Sequence, residues 1–197
     1  MAQNSSLYNN LCRRIKKLET FYLPTYANPF TRYTKKDEDN IRAYSLLVHA
    51  ELESYFEGIS KKKAIDALNN WLSNHRYNSL ILLSLSCFVE QTQRVKQKAT
   101  LEEKLRQIVG VFSETNKNNN GIKEINIKEL LIPIGVRDAD LDSTWLNTLN
   151  SFGSKRGEFA HTGAAVSIVP NHNDIKQDVQ NILGELKTLD KIIKALK

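Results

Sequence analysis

Arg156 and His161 are the residues of this chain whose types and spacing suggest chemistry. Arginine is a permanent cation whose planar fork matches phosphate oxygens. Histidine takes and gives protons near neutral pH without large tuning of its pKa. Together such groups can bind a phosphodiester and catalyse its internal transesterification without a metal. They lie in Ser154-Lys155-Arg156-Gly157-Glu158-Phe159-Ala160-His161-Thr162-Gly163, at the end of an apolar, helix-patterned run.

Order alone is weak support. With nine arginines and four histidines in 197 residues, an Arg followed by a His five to seven residues later arises by chance in about half of such chains. Arg42 and His49 are a second instance. Context favours Arg156, because Trp145, Leu149, Phe152 and Phe159 form an apolar stripe and Arg156 takes a place on it where another apolar residue belongs. A charge there is costly unless it is paired or faces a cleft. The competing reading is an ion pair with a carboxylate on a neighbouring helix, such as Glu53 or Glu57. Five residues carry His161 about 140° round an ideal helix from Arg156. The pair therefore needs a distorted helix end near Gly157 or Gly163, or it meets through a second subunit. The plainer reading of His161 is a helix-end imidazole satisfied by a carbonyl. Arg42 and His49 share one helix face with Glu53 and read first as an interhelical polar strip. All three are supporting candidates for the same cleft, and Lys155 is a candidate contact to the phosphodiester strand.

Helices must position these groups. Residues 6–23 are amphipathic and end at Pro24, while Pro29 keeps the next stretch irregular. Asp37, Glu38 and Asp39 suit the positive end of a helix over 38–59 with a very broad apolar face. Gly58 and the Lys61-Lys62-Lys63 run predict a break or bend there, with helical periodicity resuming over 64–72. The lysine triplet is a secondary candidate for steering a polyanionic strand, although a solvated face is its simpler reading. Residues 77–97 read as a buried helix and 101–112 as a shorter amphipathic one. The asparagine-rich stretch 113–126 predicts an exposed, mobile loop. Residues 127–134 are a short apolar segment closed by Pro133 and Gly135. Asp140 or Asp142 caps the following helix over 143–161. Residues 164–169 carry no clear pattern. The last helix, 174–196, spaces Ile175, Val179, Ile182, Leu186, Leu189, Ile193 and Leu196 as a heptad seam, fit for packing along a bundle or across a dimer. The fold class is all-α: a four-helix up-and-down bundle core with additional helices. Residues 1–37 read as a helix and lead-in packed on a domain over 38–197.

The net charge of +6 suits a nucleic-acid partner or a merely basic surface equally well. Cys12 and Cys87 stand far apart and suggest neither a disulfide framework nor a zinc site. The first residues lack a signal-peptide layout, and the apolar run over 80–89 is too short to span a bilayer. The expectation is a cytoplasmic protein with no membrane partner.

At Lys155 to Gly163 the sequence resembles HEPN domains, whose motif is an arginine, four to six residues, then a histidine late in a helical bundle. The run from Arg42 to Phe56, with its Leu52-Glu53 pair, resembles a core helix of the stand-alone RiboL-PSP-like branch. Gly157 stands where HEPN motifs often carry Asn, Asp or His. The resemblance implies a metal-independent endoribonuclease without cofactors, of toxin or phage-defence type. It implies RNA as substrate, with Arg156 and His161 catalytic. It also implies a homodimer that brings both Arg–His pairs to one cleft, with an antitoxin or another defence-system protein as partner. A non-catalytic RNA-binding or dimerisation module and a helical scaffold are the alternatives.

Overall fold

Ser5 starts the first helix: its hydroxyl accepts from the Tyr8 N–H at 3.0 Å. In this computed structural model the described residues are 3–25, 32–74, 79–90, 100–161 and 171–196, with side chains described for all of these except 79, 89, 90 and 158–161. Helix α1 (Ser6–Tyr22) buries Tyr8, Leu11, Ile15 and Leu18, spaced to form one stripe. The Leu23 N–H closes it on the Glu19 carbonyl just before Pro24.

Helix α2 (Lys35–Asn74) is the mast of the fold, 40 residues in one piece, or about 60 Å. Thr34 and Asp37 cap it reciprocally: the Thr34 N–H donates to the Asp37 carboxylate at 2.9 Å, and the Asp37 N–H donates to the Thr34 hydroxyl at 3.2 Å. The bend expected at Gly58 and Lys61 to Lys63 is absent. Ile59, Ala64, Ala67 and Leu68 continue the buried stripe through that stretch. Lys62 pairs with Asp66 at 2.9 Å, one turn along the same helix. Lys63 reaches the last carbonyls of the C-terminal helix, at Lys194 (2.9 Å) and Leu196 (3.0 Å). Tertiary packing outweighs the local preference for a break. Lys63 is thereby a capping residue, not part of a free basic face.

Beyond α2 come α3 (Ser79–Glu90), α4 (Leu101–Lys117), α5 (Glu124–Leu131), a 3₁₀ turn at Asp138–Asp140, α6 (Ser143–His161) and α7 (His172–Ala195). Among the described residues there is no strand. Helix α3 is less buried than its apolar sequence suggests, since Leu80 and Leu83 are exposed. Residues 91–99 and 164–169, and Pro29, lie outside the described residues. Of the two candidate caps for α6, Asp142 is the one used, accepting from the Trp145 N–H at 2.8 Å. Asp140 instead pairs with Arg137.

The asparagine-rich stretch is not the loose loop its composition suggests. Helix α4 runs through Lys117. Asn116 is buried, its amide donating to the Ser60 hydroxyl at 2.6 Å and to the Glu57 carbonyl at 3.1 Å. Gly121 and Ile122 are buried too. Hydrogen bonds to α2 compensate the Asn116 amide, which composition alone would assign to water.

Four helices make the core, each antiparallel to its neighbours. Arg14 meets Glu51 across α1 and α2, Phe56 meets Trp145 across α2 and α6, the Trp145 indole donates to the Ile182 carbonyl of α7, and Glu19 meets Lys176 across α1 and α7. The expected all-α bundle is therefore present as an up-and-down ring of α1, α2, α6 and α7, with α3, α4 and α5 layered on α2 and α6. The heptad seam of α7 is consumed inside this ring: Ile175, Ile182, Leu186 and Ile193 are fully buried. It is not available to a second chain.

Candidate active site

Helix α6 carries the arginine. Trp145, Leu149 and Phe152 are buried, and Arg156, the next residue on their stripe, is exposed. At Gly153 an added Cβ would come within 3.2 Å of Lys123 Cγ. A glycine there lets α6 lie close against the 118–123 connection. Lys155 is tied to Asp178 of α7 at 3.0 Å, which fixes the two helices side by side just before the motif. His161 is the last residue of α6. Its side chain, and that of Phe159, lie outside the described residues.

Arg156 faces the polar strip of α2. Its charge bears on His49 and Glu53 together. His49 is 2% exposed. Burial first, and the Arg156 guanidinium second, push its pKa down to about 4, so the imidazole is neutral at physiological pH. His49 Nδ1 lies 4.0 Å from Glu53 Oε2, a proximity that would favour the imidazolium. It does not prevail, because 4.0 Å is no hydrogen bond. Glu53 is moreover itself pushed towards its protonated form, by burial first and then by Glu57. Arg156 and the Gly121 N–H pull Glu53 the other way. Glu57 accepts from the Asn119 amide at 3.2 Å.

Arg156 thus comes near the carboxylates that the ion-pair reading named, yet among the described residues none lies within 4 Å of its guanidinium. Arg42 pairs with Asp39 on its own helix at 3.2 Å. The groups brought together are Arg156, His49 and Glu53, with Glu57 behind them.

Other members of this end of the bundle escaped the sequence. Asn116, Asn119 and Gly121 reach the polar strip of α2 because α4 packs on α2, and a run of asparagines does not announce which one is buried. Tyr33 and His172 form a pair: the Tyr33 hydroxyl and His172 Nδ1 are 2.7 Å apart, and the His172 N–H donates to the same hydroxyl at 3.1 Å. Burial lowers the pKa of His172, and Lys176 lowers it further. The position of His172 beside Pro170 and Asn171 marked only a helix start.

The RiboL-PSP-HEPN family matches residues 9–195, nearly the whole chain. The chain belongs to the RiboL-PSP-HEPN family. No curated protein and no solved structure matches it. HEPN domains are all-α, bind RNA, commonly dimerise and are often ribonucleases, which gives this HEPN protein an RNA-related function in general terms. Among the described residues no helix is long and apolar enough to cross a membrane.

Proposed function

We propose that this HEPN protein is a metal-independent endoribonuclease that cuts RNA at a 2′-hydroxyl, acting as a dimeric toxin or phage-defence effector in the cytoplasm. The observation that carries the reading is Arg156: an exposed guanidinium whose charge acts on a buried neutral imidazole and on a glutamate of raised pKa, with His161 ending the same helix. Among the described residues no carboxylate pairs with this cation, which leaves its planar fork to take a phosphate.

In the mechanism Arg156 binds the scissile phosphate and stabilises the charge that builds on the pentacoordinate phosphorus. One His161 takes the proton of the 2′-hydroxyl. The 2′-oxygen bonds to phosphorus, the bond from phosphorus to the 5′-oxygen breaks, and a second imidazole gives that oxygen a proton. The products are a 2′,3′-cyclic phosphate and a 5′-hydroxyl. Acid and base are separate groups, and the five-residue spacing does not close Arg156 and His161 on one ideal helix face. Two chains meeting at their motifs supply both roles. The face they share lies outside the α7 seam, which is buried within each bundle.

The test is cleavage of single-stranded RNA by wild type, Arg156→Ala and His161→Ala, with and without EDTA. The expected outcome is cutting that survives EDTA, leaves a cyclic phosphate, spares DNA, and falls by about 10²–10⁴-fold in each variant. Tight RNA binding with no cutting by the wild type would instead identify a non-catalytic RNA-binding module.

A further inference from the structure

Away from the Arg156 cleft, α1 and α2 enclose a groove of about 360 Å³. Arg13, Arg14 and Lys17 line its α1 wall, and Glu51 and Ser54 its α2 wall. Arg13 and Lys17 are one turn apart and share a face of α1. Arg14 donates through Nε to Glu51 at 2.9 Å, which neutralises the carboxylate lining the groove. Among the described residues no carboxylate lies within 4 Å of Arg13 or Lys17, and both are exposed. The groove therefore keeps two positive charges facing solvent.

Its position relative to Arg156 gives those charges a use. Around α2, Ser54 lies about 100° and Glu51 about 160° from Glu53. The Arg156 cleft and the basic groove thus flank one exposed ridge of α2, at the same height along the helix. The ridge carries Ala50 and Ser54, both exposed and both small. Over a helix about 11 Å across, the path from one side to the other is about 15 Å. Basic grooves that track a backbone are the usual means of holding single-stranded nucleic acid.

We propose that the α1–α2 groove binds phosphates of the RNA strand a few nucleotides from the one held at Arg156, the strand crossing the small-residue ridge of Ala50 and Ser54. This rests on the RNA reading of the Arg156 cleft and adds a second, sequence-independent contact to it. Arg13 and Lys17 each take one phosphate, and Ser54 on the ridge offers a hydroxyl to the strand between them.

The test uses 2′-O-methyl RNA, which binds but lacks the nucleophile. Its affinity is measured by fluorescence anisotropy across a salt series for wild type, for Arg13→Gln/Lys17→Gln, and for Lys117→Gln/Lys187→Gln, which removes the same charge from exposed positions elsewhere. The expected slope of log K against log salt becomes shallower by about 1.4 in the groove variant, about 0.7 for each single-strand phosphate released. Its Kd at physiological salt rises about 10-fold, while the control changes neither. An unchanged slope and Kd in the groove variant overturn the proposal. So does wild type that fails to bind RNA, and so does a groove variant that loses only its binding to anionic lipid vesicles. Cleavage lost in Arg156→Ala together with an unaltered groove slope keeps the nuclease and refutes the groove. A shallower groove slope in a protein that never cuts refutes the nuclease and keeps the groove.

Discussion

Replacing His49 by Gln isolates the cost of keeping an imidazole buried beside Arg156. Burial, then Arg156, hold the folded pKa of His49 at about 4, against about 6.5 in the unfolded chain. Between these values the unfolded chain binds more protons than the folded one, so stability rises with pH. The contribution of His49 is complete above about pH 6.5 and is lost as pH falls towards 4. At pH 5 the loss amounts to about 2 kcal/mol, and the limit below pH 4 is about 3 kcal/mol. Glu53, whose pKa is raised, moves in the opposite sense, but it is common to both proteins and cancels in their difference. Urea unfolding followed by circular dichroism at pH 7.5 and pH 5 gives that difference. Wild type should lose about 2 kcal/mol more than His49→Gln over this interval. A difference below about 0.5 kcal/mol would mean that His49 charges freely in the folded protein. Its burial and its neutrality beside Arg156 would then both be wrong.

Asp190 is buried and accepts from the Ser5 N–H at 2.7 Å, the Ser5 hydroxyl at 2.5 Å, the Asn4 amide at 3.1 Å and the Tyr55 hydroxyl at 2.8 Å. Asp190→Ala strands these donors and should cost about 3 kcal/mol or more in a urea titration, because hydrogen bonds to a charged acceptor are the stronger kind. Gly184 lies within α7, and a Cβ there would meet nothing within 4 Å. Gly184→Ala should therefore stabilise by about 0.5–1 kcal/mol and raise Tm by about 1–4 °C. Asn116→Ala removes the donor to Ser60 and the Glu57 carbonyl and should cost about 1–3 kcal/mol, again by denaturant titration.

The bundle was legible wherever a helix buries one stripe against one neighbour. The ends of α1 and α6 and the buried seam of α7 follow from spacing, caps and prolines. Helix α2 was not, because Gly58 and three lysines look locally like a break, and only Ser60, Asn116 and the C-terminal carbonyls met by Lys63 show why the helix continues. The loop expected over 113–126 failed for a related reason: polar composition does not reveal that Asn116 finds buried partners on another helix. At the site, Arg156 stood out as a charge on an apolar stripe. That it would be exposed, with His49 and Glu53 under its field, required the crossing of α6 over α2, which no local pattern encodes.

That crossing makes the site sensitive to whatever occupies Arg156. The guanidinium lowers the pKa of both His49 and Glu53. A phosphate bound to Arg156 offsets its charge, so both pKa values rise and the occupied site takes up protons. By linkage, affinity for RNA must then strengthen as pH falls through the range where His49 and Glu53 titrate, over and above any change in the RNA itself. The burial of His49 remains, so the uptake is a fraction of a proton. Calorimetric titration of 2′-O-methyl RNA in two buffers of different ionisation enthalpy at pH 5 measures it directly. Wild type should show net uptake and Arg156→Gln none. Equal uptake in the two proteins would place the bound phosphate somewhere other than Arg156, and the catalytic reading of α6 would fall with it.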